Sequence, residues 1–227
     1  MTDTIRTFGI DEVIHPVDVD ITPALVDRNR LTSAFRPLLA IPHILLVGVP
    51  AVFAMSWVWS ADNGRDVGWG AGTGALGAVA AVAALIAWFA IVFGGRYPAG
   101  LRRLAVYYLR WRVRAITYLT LLRDEYPPFD DGVYPAGLVL RPPTGERNRW
   151  SVGLRIFLAI PQLIVVSLLS IGWAITTIIA WASVLVTGDF PPSLYHFGVG
   201  MLRWSIRVEA YLLLLHDEYP PFSLESR

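Results

Sequence analysis

Two pairs of neighbouring carboxylates are the residues of this chain best suited to chemistry by type and spacing. Asp124-Glu125 and Asp217-Glu218 each open a copy of the sequence DEYPPF. Adjacent carboxyl groups can act as general acid and general base when their surroundings separate their pKa values. Each pair is followed directly by Tyr-Pro-Pro-Phe, however, which fixes an extended turn. We therefore predict no catalytic residue and a structural ion-pair belt, whose other members include Arg28, Arg30, Arg147 and Arg149.

Histidine and glycine motifs give weaker indications of a site. His43 lies in an apolar segment, where an ionisable side chain is a candidate for proton relay. Its counterpart in the second half of the chain is Gln162, so we favour a hydrogen-bonding role at a kink. The other histidines lack metal-ligand spacing and the chain has no cysteine, so we predict no metal and no cofactor. The GxGxxG pattern at Gly72–Gly77 follows a polar loop, which favours helix packing over nucleotide binding.

A stripe of arginine and aromatic residues occurs twice on predicted helices. At 100° per residue its members fall within one arc of about 100° in each copy. They are Arg110, Trp111, Arg114 and Tyr118 in the first copy, and Arg203, Trp204, Arg207 and Tyr211 in the second. One interpretation is a binding site for an anionic lipid headgroup or for an acidic patch on a partner. The alternative is that these arginines extend to the membrane surface and pair with nearby carboxylates.

An internal duplication organises these motifs. A shift of 119 residues aligns Arg36 with Arg155, and a shift of 93 residues further along aligns Trp88 with Trp181 and the two DEYPPF sequences. The change of shift means about 26 extra residues in the first copy, which we expect in the Gly-rich stretch Asp62–Gly77. Equivalent residues are therefore predicted to have equivalent structural roles.

Composition and hydropathy indicate a membrane protein. Hydrophobic residues make up 55% of the chain and the mean hydropathy is +0.51. Leu38–Trp59 and Thr73–Phe93 are each long enough to cross a hydrocarbon core of about 30 Å. Val152–Thr187 is long for one crossing and short for two. We predict two short spans joined near Ser170–Gly172, with a single long tilted helix as the alternative.

The predicted fold is an all-α integral membrane protein with two parallel internal repeats. Each repeat has a short cytoplasmic strand, a two-helix transmembrane hairpin and an interfacial amphipathic helix, and the two strands are expected to pair. Repeat 1 covers 15–129, with spans at 37–59 and 74–93 and the interfacial helix at 98–123. Repeat 2 covers 134–222, with spans at 152–170 and 172–187 and the interfacial helix at 191–215. Tails at 1–14 and 223–227 and a linker at 130–133 complete the chain.

The distribution of arginine predicts the topology. All 19 basic residues are arginines, and apart from Arg65 they lie in the N-terminal segment, between residues 96 and 155, or after residue 200. The positive-inside rule then predicts a multi-pass protein of the inner (plasma) membrane with both termini cytoplasmic. The symmetry axis is expected along the membrane normal. Arg96 and Asp189 occupy equivalent places and complete the predicted ion-pair belt as a salt bridge across that axis.

These motifs together resemble a bacterial membrane family labelled domain of unknown function 4389. The resemblance rests on Arg-Asn-Arg before the first span, Ala-Ile-Pro within it, Arg-Trp-x-x-Arg on the later helix and the terminal Asp-Glu-Tyr-Pro-Pro-Phe. It extends from about His15 to Phe222, and the arginine-only composition is similar to actinobacterial members. The family label implies no activity and gives no catalytic residue.

The sequence supports two functional hypotheses. The first is a non-enzymatic accessory or scaffold subunit, related to lipid transport, that docks on a larger membrane complex through its interfacial helices and DEYPPF turns. Its expected partners are membrane lipids and another membrane protein complex, with no nucleic acid. The alternative is a small transporter or lipid-handling protein that works in a cleft between the two repeats.

Overall fold

The described part of the protein is mostly helical, with one two-stranded sheet. The computed structural model describes residues 15–49, 74–130, 132–141 and 149–225. In the described ranges the elements are β1 (Val17–Ile21), α1 (Arg30–Leu39), α2 (Ile41–Val47), α3 (Gly74–Gly94), α4 (Ala99–Leu119), β2 (Ala136–Leu140), α5 (Arg149–Gly153), α6 (Arg155–Thr187) and α7 (Pro192–Leu212).

A single helix of 33 residues, α6, forms the apolar part of repeat 2. The predicted hairpin with spans at 152–170 and 172–187 is therefore wrong, and the alternative of one long helix is correct. A turn near Ser170–Gly172 would leave several backbone groups without partners in apolar surroundings, which costs more than one glycine in a helix. Pro161 lies inside α6 and does not end it.

In repeat 1 the equivalent run of helices is interrupted by an insertion. We call these runs the long paths: α1 to α3 in repeat 1, and α5 with α6 in repeat 2. The repeat alignment pairs Val47 with Val166 and Gly74 with Ser167, so α2 and α3 together correspond to the uninterrupted α6. Their ends also meet in space, since a methyl group on Gly74 would lie 2.5 Å from the backbone nitrogen of Gly48. The extra 26 residues are thus 48–73, a stretch that begins earlier than predicted. Most of it, like the predicted outer loop, lies outside the described residues.

Within the described ranges, two or three helices qualify as membrane spans by length and composition. α3 and α6 are each long and apolar enough to cross a membrane, and the bent pair α1 and α2 is so when it is counted as one span. The bend between α1 and α2 is 43°, with Pro42 in the first turn of α2, which confirms the predicted kink. These helices indicate a membrane protein, but the described residues do not provide the four predicted spans.

A pseudo-two-fold axis relates the repeats. The strands pair antiparallel, as expected, and Val19 lies opposite Leu138, its own equivalent, so the axis passes through this pair. The indole nitrogen of Trp88 donates to the carbonyl of Val152 at 2.9 Å, and its equivalent Trp181 donates to Ser33 at the same distance. Each long path therefore begins beside the end of the other. The two paths run antiparallel, and the axis is perpendicular to both.

The core lies between the long paths and the sheet. α4 packs on α2 and α3, α7 packs on α6, and the two strands pack on α4 and α7. Buried core side chains include Tyr108, Leu109, Met201, Leu202 and Ile206. The helices that we predicted as interfacial are thus present as α4 and α7, and they supply much of the core.

Candidate functional site

The first DEYPPF turn is attached to the protein through its aspartate. Arg28 donates to both carboxylate oxygens of Asp124, and Arg36 donates to one of them. Arg36 is only 1% exposed, and it also donates to the carbonyls of Tyr118 and Arg123 at 3.1 and 2.9 Å. Burial by itself would raise the pKa of the Asp124 carboxyl, but the two arginines outweigh it and lower that pKa. The carboxylate therefore stays ionised.

The second turn repeats this arrangement. Arg155 donates to Asp217 at 2.7 Å and to the carbonyls of His216 and Tyr211 at 2.8 and 3.3 Å. Its guanidinium lies 4.4 Å from the centre of the Tyr211 ring, as that of Arg36 lies 4.6 Å from Tyr118. Arg36 and Arg155 were absent from the predicted belt. Their equivalence in the duplication and their position before an apolar helix were the signals that could have identified them.

The other members of the predicted belt are dispersed. Glu125 pairs with Arg123, and Arg30 donates to the carbonyl of Thr187 at 3.0 Å. The Arg149 side chain lies against Gly95, while Glu218 is exposed. Arg147 lies outside the described residues.

Arg96 and Asp189 are not brought together. Both side chains are exposed, and no ion pair joins them in the structure as described. Arg96 follows Gly95, which contacts Arg149 at the start of repeat 2, whereas Asp189 follows Gly188, which contacts Arg30. The predicted salt bridge is therefore wrong. In an antiparallel pair of paths these two equivalent residues lie at opposite ends of α6.

His43 and Gln162 accept hydrogen bonds from equivalent tryptophans. Trp111 donates to the Nδ1 atom of His43 at 3.1 Å, and Trp204 donates to the Oε1 atom of Gln162 at 2.8 Å. The imidazole also stacks on Phe129, with ring centres 4.6 Å apart. The predicted hydrogen-bonding role is confirmed. These contacts join the long path of each repeat to the helix that follows it.

The repeated stripe differs between the two copies. In repeat 2 Trp204, Arg207 and Tyr211 are buried, and Arg207 donates to the carbonyls of Val17 and Glu225 at 3.1 and 3.0 Å. Arg203 forms an ion pair with Asp18. In repeat 1 Tyr118 is buried and Trp111 is half-buried, while Arg114 donates to the carbonyl of Asp130 at 2.8 Å. Arg110 is exposed and has no ion pair with any described residue.

A basic cleft lies beside Arg110. It has a volume of about 670 Å³ and is formed by α4 of repeat 1 and β2 of repeat 2. Its lining includes Arg102, Arg103, Arg110, Tyr107, Leu138 and Leu140, and none of the described residues that line it is a carboxylate. The cleft therefore combines positive charge with an apolar wall, a combination that fits an amphipathic anion.

A buried ion pair between the repeats was not predicted from the sequence. The Nε atom of Arg112 donates to Glu209 at 2.6 Å, and the Tyr108 hydroxyl donates to the same carboxylate at 2.6 Å. Arg112 also donates to the carbonyls of Val47 and Val49, at the end of α2. Its equivalent is Ser205, so the duplication gave no signal for this role. In the described ranges no group of three or more His, Asp or Glu could hold a metal ion.

The fold and the site define a class: an internally duplicated, mostly helical protein with candidate membrane-spanning helices and a basic cleft between its repeats. The chain belongs to the family described as Domain of unknown function (DUF4389), whose model matches residues 69–130 and 149–223, together more than half of the sequence. The two matched segments correspond to the two tandem copies. Neither a curated protein nor a solved structure matches this chain.

Proposed function

We propose that this protein is a non-enzymatic accessory or scaffold subunit of a larger membrane complex. The observation that carries the proposal is the way the repeated motif is used. Its aspartates are fixed internally by buried arginines, while its rings Tyr126, Phe129, Tyr219 and Phe222 remain between 41% and 54% exposed. Ion-paired carboxylates are poor general acids, whereas aromatic rings held on a rigid turn suit docking to a partner or to the membrane interface.

The basic cleft supports a second candidate function, lipid handling between the two repeats. α4 and β2 belong to different repeats, and their cleft has guanidinium groups on one wall and leucines on another. Such a cleft suits the headgroup region of an anionic lipid. A scaffold that docks through its turns and holds a lipid in this cleft combines both candidates.

The proposed membrane position follows from the length of α6 and the positions of the charges. With 33 residues α6 is about 50 Å long, against about 30 Å of hydrocarbon. The sheet lies on the two-fold axis, halfway along both paths, and carries the exposed Asp20, while the exposed Arg103 and Arg110 lie on α4. If the paths crossed the bilayer, these charges would lie near its centre. Each would then cost about 3 kcal/mol or more of insertion free energy.

We therefore propose that both long paths lie in the plane of the cytoplasmic leaflet, with the axis along the membrane normal. The apolar outer faces of α3 and α6 are then in lipid, and the sheet lies on the cytoplasmic side of these helices. Both termini and the 94–150 segment are cytoplasmic, as the arginine distribution favours. This arrangement replaces the multi-pass topology.

Depth measurements on α6 test the proposed position. Phe157→Cys, Leu168→Cys and Ile179→Cys introduce single cysteines at exposed sites 11 residues apart, on nearly the same side of the helix. Spin labels at all three are expected at similar depth, measured by collision with oxygen and with a water-soluble nickel complex. A crossing helix would place Leu168 deep and the other two close to opposite surfaces. Val82→Cys and Phe93→Cys on α3 are the matched pair in the other path.

Docking through the turns is tested by copurification from the native membrane. Phe129→Ser and Phe222→Ser remove equivalent exposed rings and leave Asp124 and Asp217 in place. We expect the amount of copurified partner per folded subunit to fall. The melting temperature of the purified subunit should fall only slightly, because each ring is more than half exposed, although it loses its contact with His43 or Trp204. Ile175→Ser, on the exposed face of α6 and in neither turn, is the control. Retention of the partner by the double variant, or a wild-type protein that purifies alone, contradicts the docking role.

A further inference from the structure

The two copies of the stripe differ in one carboxylate. In repeat 2 the Nε atom of Arg203 pairs with Asp18, and Arg207 lies 3.8 Å from the same carboxylate. The residue equivalent to Asp18 in the other strand is Gly137, so the equivalent Arg110 has no such partner. A methyl group on Gly137 would meet nothing within 4 Å. Within the part of the chain that the structure describes, the place of a carboxylate is therefore open in the first copy.

The same region is filled in repeat 2 by an apolar side chain. Leu224 covers Gly200, where an added methyl group would lie 2.8 Å from the Leu224 Cβ atom. The equivalent of Gly200 is Tyr107, which lines the open cleft. The cleft also carries Arg102 and Arg103 where repeat 2 has Tyr195 and His196. One copy is thus neutralised and closed, while the other has glycine in place of the carboxylate and two arginines in place of Tyr195 and His196.

We propose that the cleft between α4 and β2 is a binding site for the phosphate group of an anionic amphiphile. The phosphate occupies the position that the Asp18 carboxylate has in the other copy, where the Arg110 guanidinium can donate two parallel hydrogen bonds to it. Arg102 and Arg103 supply further positive charge, and Leu138 and Leu140 contact the apolar part of the ligand. This site deepens the lipid component of the proposed function, and it uses none of the aromatic rings of the turns.

Titration calorimetry on the purified full chain in a neutral detergent tests the site. The probes are dioctanoyl phosphatidylglycerol, dioctanoyl phosphatidylcholine and glycerol 3-phosphate. We expect saturable binding of phosphatidylglycerol and at least tenfold weaker binding of phosphatidylcholine. Tight binding of glycerol 3-phosphate as well would identify a soluble phosphate ester as a ligand, whereas binding of phosphatidylglycerol alone would identify a membrane lipid. Both outcomes support the site.

Changes at residue 137 separate charge from shape. Gly137→Asp introduces a carboxylate at the strand position equivalent to that of Asp18, where it is expected to pair with Arg110 and to abolish phosphatidylglycerol binding without lowering the melting temperature. Gly137→Asn fills similar space without charge and is expected to retain most of the affinity. Arg110→Gln should weaken binding about tenfold or more, the loss typical of a hydrogen bond to a charged group. Arg96→Gln, an exposed arginine outside the cleft, should have no effect.

Three results would overturn the proposal. They are no saturable binding of any probe by the wild-type chain, equal binding of phosphatidylglycerol and phosphatidylcholine, and unchanged affinity in Gly137→Asp. The partner-copurification experiment is independent of all three because Phe129 and Phe222 do not line the cleft. Loss of docking with intact phosphate binding, or the reverse, therefore identifies which proposal fails.

Discussion

Arg155→Met is expected to lower the free energy of unfolding by about 3 kcal/mol, the lower end of the cost of breaking a buried ion pair. The guanidinium is 1% exposed and donates to two backbone carbonyls and to Asp217. Methionine fills similar space and makes none of these bonds. The carbonyls of Tyr211 and His216 then lose this donor, while the Asp217 side chain, 27% exposed, recovers part of its hydration. Unfolding in mixed micelles of dodecyl sulfate and a mild detergent measures the change.

The repeat supplies the matched comparison. Arg36→Met removes the same bonds from the first turn and should be destabilising by a similar amount, although Asp124 keeps Arg28 as a partner. Asp217→Asn in the Arg155→Met background should recover part of the loss because the side chain that has lost its ion pair with Arg155 is then uncharged. Arg96→Met changes an exposed arginine and should alter stability by less than about 0.5 kcal/mol. A loss below about 1 kcal/mol for both buried arginines would show that they do not anchor the turns.

The duplication made the local features of this protein predictable from sequence. Several residues that are identical or similar in both copies proved to share contacts, namely Arg36 and Arg155, Trp88 and Trp181, and His43 and Gln162. The identical Arg110 and Arg203 do not. The pairing of the strands followed from the same symmetry. These roles depend on short segments that recur with fixed spacing, and such segments carry their own geometry.

The direction of the long helices was not predictable in the same way. An apolar run of 36 residues has no internal signal that distinguishes one helix from two, because hydropathy is equally high in both cases. The decisive information was the junction between the two alignments, which pairs Val47 with Val166 and Gly74 with Ser167. Because Val166 and Ser167 are neighbours in one apolar run, this pairing alone predicts that the insertion of repeat 1 interrupts a single helix. The antiparallel contacts at Ser33 and Val152 then depend on tertiary packing, which no local pattern encodes.

The roles of Arg112 and Glu209 could not be predicted from the duplication. Neither has an equivalent of its own type, since the matching residues are Ser205 and Ile116. Their role arises from the insertion itself. Where α2 stops at Val47, its last carbonyls lose the partners that the continuous helix α6 supplies at the equivalent point. Arg112 donates to the carbonyl of Val47 and to that of Val49, two residues beyond the helix, and Glu209 balances its charge.

Arg112→Leu is accordingly expected to cost about 4 kcal/mol, within the range for breaking a buried ion pair. The change leaves Glu209 without its cation and removes the Arg112 donors from the carbonyls of Val47 and Val49. Glu209→Leu should cost less, because the Arg112 guanidinium keeps those two acceptors. The same micelle unfolding measurement gives both values, with Ser205→Ala as the control at the equivalent position of repeat 2.

A double-mutant cycle separates the ion pair from the capping of α2. Arg112→Ser and Glu209→Ile each introduce the residue that the other repeat has at the equivalent position. Each new side chain is therefore one that the corresponding helix of the other repeat already carries. If the two charges interact directly, the double variant should be more stable than the sum of the single effects predicts, by about 1–3 kcal/mol. It should still be less stable than the wild type because the α2 carbonyls stay uncapped. Additive single effects would mean that Glu209 does not balance Arg112, and full recovery in the double variant would mean that the carbonyls of Val47 and Val49 need no donor from α4.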